Sequence, residues 1–94
     1  MSKISENEFV RICDGIYEDR ETICKHNPIG SPKEILLWML LSCLISYLSL
    51  DDKEMPCFTG TPNAETYYNA ILFVLRTRKT DEFDAAKHLE KLCL

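Results

Sequence analysis

Few side chains in this sequence could act on another molecule, and their spacing limits what they could do. Arg20 falls on the apolar stripe of the first expected helix, one turn beyond Ile16 and three residues before Ile23. A charge in that position must snorkel, meet a carboxylate or face a partner. His88 sits among charged residues near a helix C-terminus, where a cation is mildly favoured. The two histidines form no Ser-His-Asp or Cys-His-Asn arrangement, and neither a P-loop nor GxGxxG occurs. No catalytic residue and no cofactor is therefore assigned from these motifs.

Five cysteines, Cys13, Cys24, Cys43, Cys57 and Cys93, are many for 94 residues. Their number is odd, no CxxC occurs, and the start MSKISENEF is too polar for a signal peptide. Free thiols in a reducing cytoplasm are the expectation. Cys13, Cys24 and Cys43 fall on apolar faces, where a thiol behaves as a small hydrophobe. Cys57 lies in a loop and is the candidate reactive thiol, with no evident base beside it. Cys24-Lys25-His26 supplies too few ligands, at an unsuitable spacing, for a metal. The run Arg76-Thr77-Arg78-Lys79 is the one basic cluster. It is read as complementing the dipole at a helix end, since it would neutralise few phosphates.

Arg20 and His26 together spell R-x5-H, which resembles the R-x4–6-H signature of HEPN-type helical ribonucleases over seven residues. That resemblance implies a helical bundle, often dimeric, in which Arg20 and His26 would act on RNA. In the family the pair lies on a later helix, whereas here it is on the first. The net charge of −4 also disfavours broad contact with polyanions. The ribonuclease or nucleic-acid-binding regulator is accordingly the alternative reading.

The elements that would position these groups are helices with legible starts. Ser5-Glu6-Asn7-Glu8 is a capping box, with Ile4 and Phe9 at the positions of a hydrophobic staple. The stripe Phe9, Ile12, Cys13, Ile16, Ile23, Cys24 predicts one helix over 9–26, stopped by Asn27-Pro28. A hairpin at Asp14-Gly15 is the rival. Ser31-Pro32-Lys33-Glu34 is a second capping box with proline at the first helical position. It launches a helix over 32–50, which acidic residues and Pro56 end. Thr61-Pro62 is expected to start a third helix, and Thr80 or Asp81 a last one. Gly30-Ser31-Pro32 and Gly60-Thr61-Pro62 look alike, but the helices after them do not, so the likeness is read as shared cap chemistry rather than a repeat. A bound anion at either start is disfavoured because Ser31 and Thr61 already serve as caps.

The segment 35–50, ILLWMLLSCLISYLSL, has sixteen residues, thirteen apolar and none charged. At 1.5 Å per residue it reaches only about 24 Å, short of the ~30 Å of hydrocarbon that a span must cross. Its polar residues Ser42, Ser46 and Ser49 make one narrow strip. A helix this apolar must be central or be covered by another chain. The expectation is a single all-α domain, 1–94, an antiparallel bundle of about four helices around this segment. Its expected role is a non-catalytic interaction or regulatory module, self-associating as a homodimer or binding another protein. The candidate interface is Trp38, Leu41, Ser42, Ile45, Ser46, Ser49, Met55 and Phe58.

Overall fold

The computed structural model describes residues 3–27, 30–78 and 83–93. The fold is all-helical: α1 (Glu6–Glu18), α2 (Arg20–His26), α3 (Pro32–Tyr47), α4 (Ala64–Thr77), α5 (Ala85–Leu89) and a closing 3-10 turn (Glu90–Cys93). No strand occurs among the described residues, so the Asp14-Gly15 hairpin does not form.

The first capping box forms in full. The Glu8 amide donates to Ser5 Oγ at 3.2 Å, and the Ser5 amide donates to Glu8 Oε2 at 3.1 Å. Ile4 and Phe9 are both fully buried, as a staple requires. The expected single helix over 9–26 passes through Gly15 and breaks instead at Asp19, whose φ and ψ are −93° and 11°. The hydrogen-bond ladder nearly survives this break: the Asp19 amide donates to the Gly15 carbonyl and the Ile23 amide to the Asp19 carbonyl. The chain therefore bends without reversing.

α3 ends earlier than the expected residue 50. The Leu50 amide donates to the Ile45 carbonyl, and the Ser49 amide to the Ser46 carbonyl. This is a Schellman cap with Ser49 in the left-handed position, at φ 51°. Half-buried Leu50 and Ile45 both pack against the core, so the helix stops by local cap chemistry before the acidic run and Pro56. α4 also starts later than Thr61-Pro62. Its cap is Asn63, whose Oδ1 accepts from the Thr66 amide and hydroxyl, each at 2.9 Å. Gly30 and Gly60 do share positive φ, 92° and 79°, so the two approaches turn alike while the caps differ. Thr80 and Asp81 lie outside the described residues, and the described part of the last helix is capped by Asp84.

At these two backbone sites opposite substitutions should both stabilise. Gly15→Ala should stabilise by roughly 0.5–1 kcal/mol, because a methyl there meets nothing within 4 Å. Ser49→Gly should stabilise by about 1 kcal/mol, because glycine bears the left-handed conformation without the Cβ clash. Thermal melts of the two variants check both signs.

Packing explains why α3 can be so apolar. α1, α2, α4 and the 3-10 turn all pack on it. Leu36, Leu37, Leu40, Leu41, Leu44 and Leu48 join Phe9, Cys13 and Ile16 of α1 in one core with Ile71, Val74 and Leu75 of α4. Leu89 and Leu92 close that core from the C-terminal end. Phe9 meets Phe83 with ring centres 5.5 Å apart. Above it, His88 Nε2 lies 2.9 Å from Glu6 Oε1, and Lys91 pairs with Asp14.

Candidate functional site

One side of α3 is only partly covered by the described residues. Trp38, Ser42 and Ser46 recur every fourth residue, so they fall within about 80° of one another on the helix. Trp38 is 41% exposed, Ser46 is exposed, and Ser42 and Ile45 are half-buried. The structure thus brings four of the expected interface residues onto one side. Leu41 is not among them: it is 3% exposed and belongs to the core. Ser49 is exposed but serves as the left-handed cap beyond the helix end rather than as part of a helical strip. Met55 is exposed in the following loop, whereas Phe58 folds back edge-on to Tyr67, with ring centres 5.7 Å apart.

Trp38 also forms one wall of a cleft of about 380 Å³ between the α2 end, the α3 start and the approach to α4. His26, Asn27, Glu34, Ile35, Thr61, Pro62 and Tyr67 complete its lining. Glu34 is placed there because the second capping box forms only by half. The Glu34 amide donates to Ser31 Oγ at 3.3 Å, but its carboxylate makes no return bond of the kind that Glu8 makes.

Arg20 is satisfied locally. Its Nη1 donates to the Tyr17 carbonyl at 2.7 Å, and its guanidinium lies 4.1 Å from the Tyr17 ring centre. His26 is exposed, with Nδ1 2.9 Å from the Thr22 carbonyl oxygen. Six residues along a helix turn the two side chains about 120° apart, so α2 does not aim them at one point.

The thiols differ by burial. Cys57 is exposed, with Sγ 3.9 Å from the Met55 carbonyl oxygen. Burial pushes Cys13 up to about 12, and also raises Cys43 and Cys93. Among the described residues no three His, Cys, Asp or Glu side chains converge to hold a metal ion. No described helix is long and apolar enough to cross a membrane.

Arg78, expected from the sequence to complement the dipole at a helix end, is buried in the structure. Its side chain is 3% exposed and lies between two helix ends. Nη2 donates at 3.0 Å to the Leu48 carbonyl, at the end of α3, and at 3.0 Å to Glu54 Oε1 in the loop. It thus ties the loop and both helix termini together. The signal was present in the spacing: Arg78 follows Ile71 by seven and Val74 by four, on the buried stripe of α4.

Tyr47 links α3 to α1 in a more exposed setting. Its hydroxyl donates to the Glu8 carboxylate, which lowers the Glu8 pKa and raises that of the phenol. Compared with models of known protein families, with curated proteins and with solved structures, the chain matches none.

Proposed function

We propose that this protein is a small, non-catalytic interaction module that self-associates through the partly covered side of α3. The observation that carries the reading is Trp38, a large aromatic left 41% exposed beside the small residues Ser42 and Ser46. An aromatic anchor next to small residues suits a partner helix: the ring fills a pocket while the serines let backbones approach. In the same reading α3 is the central helix of an antiparallel bundle of about four, supported by the packing of α1, α2 and α4 on it. The five unpaired cysteines support a place in a reducing cytoplasm. The ribonuclease alternative draws less support, because Arg20 is already held by Tyr17 and diverges from His26.

Sedimentation across a range of concentrations tests the reading. The chain should populate a dimer, and Ser46→Lys should raise its dissociation constant at least about tenfold, roughly 1.4 kcal/mol. Lysine suits the last turn of a helix, and Ser46 is exposed in the single chain, so the fold should be untouched. A single species of monomer mass at the highest concentration would overturn the proposal.

A further inference from the structure

The cleft beside Trp38 has a chemical bias beyond its shape. Glu34 brings no donor to it, and His26 and Asn27 each commit one donor elsewhere. His26 commits Nδ1–H to the Thr22 carbonyl, 2.9 Å away, and its Nε2 has no hydrogen-bond partner among the described residues. Asn27 commits one of its two amide N–H groups to the Ile23 carbonyl, also at 2.9 Å, which leaves the other N–H and the amide oxygen. Glu34 is acceptor-only, half-buried, and tied by no hydrogen bond or ion pair among the described residues. It is held beside Gly30, where an added Cβ would lie only 2.8 Å from Glu34 Oε2. Trp38 and Tyr67 add aromatic rings, and Ile35 and Pro62 add apolar surface.

A carboxylate with no partner among the described residues, set between two aromatic rings, is the complement of a planar, donor-rich cation. We infer that this cleft binds an arginine side chain presented by a basic segment of another protein. A guanidinium can fork onto a carboxylate while its face stacks on an indole, which a lysine ammonium does less well. About 380 Å³ lies near the lower end of the usual range for ligand pockets, so it suits one side chain rather than a large ligand. The net charge of −4 favours a basic partner over a second acidic copy. The inference stands apart from self-association, although both use Trp38.

Trp38 is the sole tryptophan, so its emission reports on this site directly. The titration uses acetyl-Gly-Arg-Gly-amide against the full chain, at a concentration where sedimentation shows one species. The arginine peptide should shift the emission saturably. The lysine counterpart should bind several-fold more weakly, and the citrulline counterpart at least tenfold more weakly. Glu34→Gln should weaken arginine binding at least tenfold with an unchanged melting profile, since the carboxylate holds no cap bond. Equal responses to arginine and citrulline, or none to either, would overturn the inference. Free argininamide binding as tightly as the peptide would overturn the assignment to a protein segment. Loss of self-association in Glu34→Gln would assign the cleft to a second copy and overturn the foreign partner. Conversely, a monomeric chain that still binds the arginine peptide would remove only the dimer reading.

Discussion

Arg78→Ala is expected to lower the unfolding free energy by about 3 kcal/mol, while Arg76→Ala leaves it within about 0.5 kcal/mol. The two arginines stand two residues apart at one helix end, yet Arg76 is exposed and Arg78 is buried. Removing the Arg78 guanidinium takes the donor from the Leu48 carbonyl and leaves the Glu54 carboxylate with only a long bond from the Asp51 amide, at 3.4 Å. The Leu48 carbonyl belongs to the last turn of α3, where no intrahelical donor remains and the dipole favours a cation. Glu54 keeps 23% of its side chain in water, which holds the loss near the lower end of that for a buried pair. Urea unfolding of the two variants separates them. Arg78→Met with Glu54→Gln should recover much of the loss, because neither buried charge is then left alone. Equal midpoints for Arg76→Ala and Arg78→Ala would show that the clamp contributes nothing.

Arg78 also marks where the sequence could be read and where it could not. Helix starts were legible wherever a cap is local. Ser5 and Ser31 sit three residues before their glutamates, and both hydroxyls accept the expected amides. The all-helical class followed from the apolar spacing, and α3 was too short to span from its length alone. Helix ends were less legible, because Ser49 in a left-handed conformation carries none of the signal that glycine would. At Asn63 the cap lay directly after a Thr-Pro pair that mimicked one. Burial of a charge depends on a distant partner. Glu54 precedes Arg78 by twenty-four residues and meets it only because α3 and α4 pack side by side. The half-made box at Ser31 is of the same kind. Its pattern equals that of Ser5, and only the structure shows that the Glu34 carboxylate makes no return bond to Ser31.

Phe9→Ala should cost about 3–5 kcal/mol, the largest effect of any single truncation considered, while Phe73→Ala costs less than about 0.5 kcal/mol. Residue type is the same and exposure decides: Phe9 is fully buried, and Phe73 is 56% exposed. Phe9 does three things at once. It completes the staple with Ile4 that fixes how the chain enters α1. It packs on Phe83, 5.5 Å away, and meets the edge of His88 at 6.3 Å, which fastens the C-terminal segment to α1. It also fills the core beside α3, where the neighbours are rigid helices unable to collapse into the space. A chain of this length has only ~5–15 kcal/mol in hand, so Phe9→Ala should remove a large share of the stability towards the lower end of that range. Hydrogen exchange distinguishes the mechanism from simple global weakening. If Phe9 chiefly fastens the C-terminal segment, amides of Ala85–Cys93 should lose protection before those of α4. Uniform loss across α4, α5 and the 3-10 turn would instead assign the whole effect to the shared core.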